Sequence, residues 1–229
     1  MFNVRFDGSK GSVFPNNEQA STIWACQQVD AFSTLAVQFP AAAMILWFGA
    51  GADQDATLKD NLKRMNTVIK DNMRTVTFVE ATGVDLRVSY NPENALQPPV
   101  HHDVLKEPVF NRPDPSPPKP PGPDAGQFYG FAFPTNATMP YETKGVTSGH
   151  VGSGMRIYLG TNYFSTGQNS LERPQTIYHE MSHKVLATND HEYGAAECQQ
   201  LALNNAAKAR KNADNYGYFV TSLGGYVWP

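Results

Sequence analysis

The sequence lacks the features that mark several common classes of protein. Its 229 residues include only two cysteines, Cys26 and Cys198, which lie far apart and form no CxxC pair, so a cysteine-based zinc ribbon is excluded. The net charge is −3, and no dense block of lysine and arginine suggests a nucleic-acid-binding surface. The longest apolar run, residues 41–50, is shorter than the roughly 20 residues that a membrane span requires. A composition that is 41% hydrophobic and 11% aromatic instead indicates a folded globular protein.

Hydrophobic periodicity predicts a protein of mixed helices and strands. Apolar residues spaced by three and four indicate amphipathic helices, whereas short runs rich in β-branched and aromatic residues indicate strands. The predicted helices lie at about 17–39, 55–72, 174–186 and 191–210, and the predicted strands at 75–81, 86–90, 127–133 and 155–160.

A proline-rich stretch interrupts this pattern at about 92–126, where seven of the 17 prolines fall within residues 113–123. Such a stretch cannot form a helix or an inner strand, so we expect an exposed surface excursion. A ligand for a proline-binding module is the alternative. The neighbouring pair His101 and His102 has no metal-ligand spacing around it and is interpreted as loop. We expect one domain over residues 1–229.

The clearest chemical signal is the motif HEMSH at residues 179–183. On a helix, residues four apart lie one turn above each other, so His179 and His183 can direct two imidazole nitrogens at one metal ion about 2 Å from each. Glu180 is placed to reach a water on that metal, as a general base must. The motif therefore predicts a catalytic zinc site, with a solvated polar helix face as the alternative.

A catalytic zinc ion usually has three protein ligands, so one ligand is still required. After the helix ends, the chain can turn back toward the metal, and we expect Asp190 to be that ligand. His191 and Glu192 compete with it, because a shift of one or two residues in the turn would present either of them instead. The metzincin pattern HExxHxxGxxH is excluded, since Leu186 and Asn189 occupy its glycine and last histidine positions.

The segment that follows the motif resembles a known family. HEMSH followed by TNDHEYG is similar to the aspzincin metallopeptidases, the deuterolysin and peptidyl-lysine metalloendopeptidase family, whose pattern is HExxH and then GTxDxxYG. NADNYGYF at 212–219 is similar to a later segment of that family, and the clear resemblance covers about 155–220. It implies an α+β zincin-like fold with N-terminal helices, a small mixed and mostly antiparallel sheet, and an HExxH helix followed by a C-terminal helix.

The resemblance also implies roles for particular residues. His179, His183 and Asp190 would bind one zinc ion, Glu180 would be the base, and Tyr193 would help to stabilise the tetrahedral intermediate. A phenol that donates a hydrogen bond to a developing oxyanion is physically reasonable for this step.

Two departures from the family pattern concern the turn and the substrate. Ala187 replaces the glycine before the conserved threonine, so a turn that needs positive φ would have to be built differently. Lysine-specific relatives carry an acidic pair, Asp-x-x-Glu, of which this sequence has Asp214 but has Gly217 in the second position. We expect a mild preference for basic residues after the cut, or else a purely structural role for Asp214.

The strand at 155–160 is expected to be a sheet edge that pairs with an extended peptide. Arg156 and Tyr158 alternate along it with two aliphatic residues, so one pair faces the core and the other faces solvent or substrate. Both are therefore candidate substrate-binding residues.

The predicted function is a zinc metalloendopeptidase that cleaves internal peptide bonds by Glu-assisted attack of a zinc-bound water. The substrate is expected to be a protein or peptide, with neither nucleic acid nor membrane as a partner. One alternative is a zinc-containing binding or delivery module without physiological proteolysis, and another is a zinc amidase that acts on cell-wall peptides. The N-terminal residues do not form a secretory signal peptide, yet a peptidase endangers the cell that makes it. We therefore expect export, as an effector or toxin, with a cytoplasmic location as the alternative.

Overall fold

The structure is a computed structural model that describes residues 1–8, 13–80, 129–133, 152–226 and 228, and the backbone of four short strands at 87–89, 101–103, 140–143 and 146–150. Nearly all of the proline-rich segment at 92–126, for which a surface excursion is predicted, lies outside the described residues. The prediction of one domain over the whole chain stays a prediction.

The described elements include both helices and short strands, as the periodicity predicts. The helices are α1 (Asn16–Ala36), α2 (Ala41–Phe48), α3 (Ala56–Lys70), α4 (Thr161–Ser165), α5 (Glu172–Leu186), α6 (Ala195–Asn204), α7 (Ala206–Ala209) and α8 (Ala213–Ser222), with one 3₁₀ turn at Ala52–Gln54. The strands are β1 (Asn3–Gly8), β2 (Thr75–Glu80), β3 (Arg87–Ser89), β4 (His101–Asp103), β5 (Gly130–Phe131), β6 (Pro140–Thr143), β7 (Val146–His150) and β8 (Met155–Leu159). The α+β class is therefore confirmed.

The largest sheet has the strand order β1-β2-β8-β5. β1 pairs parallel with β2, and β2 pairs parallel with β8, whereas β5 is antiparallel to β8. The sheet is mixed, as predicted, but the prediction that it is mostly antiparallel is wrong for this sheet. The reason is topological: β1 and β2 are joined by a long helical crossover, and such connections permit parallel pairing. Two separate antiparallel pairs, β3-β4 and β6-β7, complete the described strands.

The substrate-side edge is a different strand from the predicted one. β8 lies inside the sheet, because β2 and β5 pair with its two sides. Within the described residues the two edge strands are β1 and β5, and β5 is the one next to β8, where Gly130 pairs with Leu159 and Phe131 pairs with Tyr158. The prediction of β8 as an edge strand is therefore wrong: β5, which lies within the strand predicted at 127–133, covers it, and the sequence did not show that these two strands pair.

Helix α3 is the clearest confirmed element. Its side chains Leu58, Leu62 and Ile69 are buried, as their spacing predicts. Asp55 caps the helix by accepting a hydrogen bond from the backbone N–H of Leu58 at 3.0 Å, which satisfies one of the unpaired N–H groups of the first turn. The sequence thus determines both the start and the buried face of this helix.

The helix predicted at 191–210 is two helices, α6 and α7, that begin only at Ala195. Asn205 interrupts them with an extended backbone, and its side chain caps α7 by accepting from the N–H of Lys208 at 3.1 Å. Residues 191–194 belong instead to the loop that carries Asp190. Helix α8, which sequence reasoning did not predict, packs against α5.

The helices enclose an aromatic core. Phe48 packs against Tyr216 and Phe219, with ring centroids 4.9 Å and 5.2 Å apart. Cys26 and Cys198 are buried free thiols rather than a disulfide, and burial raises the pKa of both. Among the described residues no single helix is long and apolar enough to cross a membrane, and only the pair α1 and α2, bent by 108°, has such a composition.

Candidate metal centre

Helix α5 brings the two histidines of the motif together. Their Nε2 atoms are 3.0 Å apart, as residues one helical turn apart allow. The Nδ1 atom of His179 lies 2.6 Å from Oδ1 of Asp214, and that of His183 lies 2.9 Å from the carbonyl of Thr188. Because carboxylates and carbonyls only accept, both Nδ1 atoms carry the proton, and both Nε2 atoms present a lone pair. Two facing lone pairs require a cation or an additional proton between them.

The loop after α5 places Asp190 beside this pair. Its Oδ1 atom is 3.2 Å from Nε2 of His179 and 3.3 Å from Nε2 of His183. Three ligands of a tetrahedral zinc ion, each about 2.0–2.2 Å from the metal, are separated by about 3.3 Å. The three atoms therefore form a triangle of the size that one zinc ion requires.

The donor set fits a divalent cation. Oδ1 of Asp190 is buried yet makes no hydrogen bond of acceptable geometry in the described part of the chain. Burial by itself would raise the pKa of this carboxyl, but its closeness to the two imidazoles holds the pKa well below its usual range. Among the described residues, the group with metal-ligand spacing is His179, Glu180 and His183, whose candidate ligand atoms all lie within 4.8 Å. The nearer Oε atom of Glu180 is 3.7 Å from Nε2 of His179, so the Asp190 oxygen is the closer third partner.

The turn that delivers Asp190 begins at an alanine in the left-handed conformation. Ala187 has φ 55° and ends α5, with its N–H bonded to the carbonyl of His183. Alanine therefore adopts the left-handed backbone conformation that favours glycine, and the strain costs about 1 kcal/mol.

Residues 211–213 then hold the loop in place. The N–H of Asn189 donates to the carbonyl of Lys211, and the N–H of Ala213 donates to the carbonyl of Asn189, at 2.7 and 2.9 Å. The buried side chain of Asn212 accepts from the N–H groups of His191 and Glu192 at 2.7 and 3.2 Å. These bonds fix the backbone of His191 and Glu192 on Asn212, and of the three candidates it is Asp190 whose carboxylate lies beside both histidines. The sequence did not predict this role for Asn212, although the residue begins the segment NADNYGYF that resembles the family.

Glu180 is buried beside the triangle, and its Oε2 atom has no hydrogen-bond partner among the described residues. Burial raises the pKa of its carboxyl to about 7, although the two histidines pull in the opposite direction. Edge strand β5 passes next to it, since a Cβ atom on Gly130 would lie 3.3 Å from Oε1 of Glu180. A glycine at this position therefore lets the strand run close to the carboxylate.

Tyr193 lies over the centre from the loop side. Its ring is nearly parallel to that of His179, with centroids 6.3 Å apart. The side chain is 58% exposed overall, yet its hydroxyl end is desolvated and faces acidic groups. Burial of that end and the nearby carboxylates of Asp190, Asp214 and Glu180 raise the pKa of the phenol.

Asp214 is buried beneath the centre, with 5% of its surface exposed. Its Oδ1 accepts from Nδ1 of His179 and from Nε2 of Gln175 at 2.9 Å, and its Oδ2 accepts from the N–H of Gly194 at 3.0 Å. These contacts agree with the second expectation for Asp214, a purely structural role. Gln175 carried no signal in the sequence.

The two candidate substrate residues on β8 lie in different surroundings. Tyr158 is fully buried and stacks on Phe131 with centroids 4.7 Å apart, so the prediction that it contacts substrate is wrong. The short strand β5 covers it, which the alternation of residues along β8 could not reveal. Arg156 is partly buried and donates to the carbonyl of Ser153 at 2.6 Å, and its role toward substrate stays a prediction.

Comparisons with known proteins identify the same segment. An aspzincin family model described as lysine-specific metallo-endopeptidase matches residues 150–221. The chain is 41% identical over 67 residues to a peptidyl-Lys metalloendopeptidase of Armillaria mellea, and 41% identical over 70 residues to an extracellular protease of Aeromonas hydrophila. Each match covers 28% of this chain but only 19% and 20% of those relatives, so the matched segment spans about a fifth of their length.

The fold resemblance extends further than the sequence match. The chain is similar to a zinc peptidase from Grifola frondosa with a TM-score of 0.53 and 16% identity, over 91% of this chain and 97% of that one. Because the identity is only 16%, this likeness shows a shared fold and nothing further. Together with the HExxH helix, the sequence match assigns the segment at 150–221, which holds the candidate metal centre, to the aspzincin family of metallopeptidases.

Proposed function

We propose that this protein is a zinc-dependent endopeptidase whose metal ion, one per chain, is held by His179, His183 and Asp190. The observation that carries the proposal is the triangle of 3.0, 3.2 and 3.3 Å between two Nε2 atoms and one buried carboxylate oxygen. A bound zinc ion supplies a Lewis acid that acidifies water and polarises a carbonyl group. The family assignment of the segment and the similar fold of a zinc peptidase support the choice of metal.

Glu180 serves as the general base in this proposal. Its unpartnered carboxylate oxygen accepts a proton from the attacking water and then passes that proton to the leaving amine. A general base is most effective when its pKa lies near the working pH. In the metal-free protein burial raises the pKa of Glu180 to about 7, and a bound cation would lower it from there.

Tyr193 serves as a hydrogen-bond donor to the oxyanion that develops on the peptide carbonyl. Its raised pKa keeps the hydroxyl protonated throughout the neutral range, as a donor requires. Its ring lies beside that of His179, which places the phenol at the proposed metal centre.

The substrate is an extended peptide that adds to strand β5. Main-chain hydrogen bonds at a sheet edge are common to all peptides, which suits an enzyme that cuts many sequences. Gly130 brings that edge within van der Waals distance of Glu180, so a peptide paired there would pass the general base.

The test is hydrolysis of casein and of a peptide library by the purified protein. Chelation and Glu180→Gln should each abolish cleavage, and added zinc should restore it after chelation only. Glu172→Gln, in the first turn of the same helix, is the matched control and should retain activity. A zinc-loaded wild type that cuts no protein would contradict the proposal and favour a binding module, whereas cleavage of cell-wall fragments alone would favour an amidase.

Export is a separate proposal, supported by the relative from Aeromonas hydrophila that is named an extracellular protease. Fractionation of the producing cells with an antibody against the chain tests it. Retention in the cytoplasm under all growth conditions would contradict it.

A further inference from the structure

The carboxylate of Asp214 is fully engaged by the protein. His179, Gln175 and the backbone of Gly194 donate to it at 2.6, 2.9 and 3.0 Å. A hydrogen bond from Nδ1 of a metal-binding histidine to a carboxylate fixes the orientation of the ring and its tautomer. Asp214 is therefore placed to hold His179 rather than to receive a further cation.

The neighbouring position 217 has no room for a second acid. A Cβ atom on Gly217 would lie 2.9 Å from the carbonyl oxygen of Gln175 and 3.0 Å from its Nε2 atom. One of these contacts is with backbone, so it cannot be relieved by rotating a side chain. Gly217 thus allows α8 to pack closely against α5, and the amide of Gln175 occupies the space beside Asp214.

A lysine side chain bound beside Asp214 would meet no available counter-charge among the acids that the structure describes at the centre. An ammonium group that leaves water needs a carboxylate partner, because an unpaired charge in a desolvated site is strongly unfavourable. Of these described acids, Glu180 and Asp190 belong to the proposed reaction machinery, and Asp214 already accepts three hydrogen bonds. Lysine specificity, which the names of two relatives carry, is therefore not expected for this chain.

We propose that Gln175 and Gly217 close the cation-binding subsite, so that Asp214 acts as a positioning residue for His179 and the peptidase accepts uncharged side chains after the cut. This inference rests on the proposed endopeptidase function. Asp214 could either position the metal ligand His179 or bind a substrate cation. A separate measurement reports on each of these two roles.

The first measurement is zinc affinity by competition with a chromogenic chelator, which needs no proteolysis. Asp214→Asn keeps the size of the side chain but removes its charge, and it should lower zinc affinity by about 10–100-fold, the usual effect of losing such a partner. Asp60→Asn, at an exposed ion pair with Lys63 on α3, is the matched control and should leave zinc affinity unchanged. Wild-type zinc affinity in Asp214→Asn would overturn the positioning role.

The second measurement is the residue found after each cut in a peptide library. The wild type should show no enrichment of lysine or arginine, and Asp214→Asn, assayed with saturating zinc, should give the same profile. Lysine enrichment in the wild type that disappears in Asp214→Asn would overturn the proposal whatever its zinc affinity.

Gln175→Ala tests the subsite even if Asp214→Asn fails to fold. It removes the amide that occupies the space beside Asp214 and should introduce cleavage before lysine. Absence of any such gain in a folded, active variant would overturn the role of Gln175. A wild type that cuts no peptide would remove the proposed function, whereas the zinc measurement would still report on Asp214.

Discussion

Replacing Glu180 by glutamine should stabilise the metal-free protein at pH 8 while it abolishes hydrolysis. The carboxyl is buried, has an unpartnered oxygen, and has its pKa raised from 4.5 to about 7. Each pKa unit corresponds to about 1.4 kcal/mol, so the ionised group destabilises the native state by up to about 3 kcal/mol. Glutamine fills nearly the same volume without a charge and removes this penalty.

The sign of the pH dependence follows from the direction of the shift. Below pH 4.5 the carboxyl is protonated in both the folded and the unfolded states, so Glu180 and glutamine should be nearly equivalent there. As the pH rises from 4.5 to about 7, the unfolded state loses the proton first, and the wild type loses stability relative to the variant. Above that range the difference should be complete. Bound zinc favours the ionised carboxylate and should therefore reduce this difference in stability.

Denaturant unfolding in excess chelator at pH 5 and pH 8 measures this difference. We expect the free energy of unfolding of Glu180→Gln to exceed that of the wild type by less than about 1 kcal/mol at pH 5 and by up to about 3 kcal/mol at pH 8. Glu172→Gln should show no such dependence. A variant no more stable than the wild type at pH 8, or a difference that does not change with pH, would refute the reasoning.

Four further substitutions around the centre give predictions. Zinc at 100 times its dissociation constant should stabilise the wild type by about 2.7 kcal/mol in thermal unfolding, and His183→Ala should remove this increment; an equal increment in the variant would contradict the site. Asn212→Ala leaves two loop N–H groups without their side-chain acceptor and should lower the free energy of unfolding by about 2–4 kcal/mol together with zinc affinity; wild-type values of both would contradict its role in holding the loop. Ala187→Gly should stabilise the protein by up to about 1 kcal/mol in denaturant unfolding, because glycine relieves the positive φ; destabilisation would indicate that φ carries no strain. Gly217→Ala should destabilise it by about 1–3 kcal/mol through its contact with Gln175, and a neutral effect would mean that α5 and α8 can separate.

The parts of the fold that sequence reasoning predicted are those governed by local rules. The α3 helix has both a capping aspartate and an apolar stripe, so its position is determined within one short segment. The helix expected at 191–210 satisfied the same periodicity, yet its first four residues are held in a loop by Asn212. Periodicity cannot detect this competition, because the hydrogen bonds that decide it come from residues about 20 positions away.

The sheet edge was mispredicted for a related reason. β8 has the alternation of a half-exposed strand, but two residues of β5 pair with it and bury Tyr158. The strand that covers β8 lies within the run predicted at 127–133, but tertiary contacts alone decide which strand it pairs with.

The sequence by itself determined that His179 and His183 face one point with Glu180 beside them, since the helical repeat places residues four apart on the same side. Only the tertiary structure decided which residue completes the triangle, which group holds His179, and whether Asp214 is available to a substrate. These depend on the packing of α8 against α5 at Gly217 and on hydrogen bonds from residues 211–214 to the loop. Such contacts join segments whose separation along the chain leaves no local pattern.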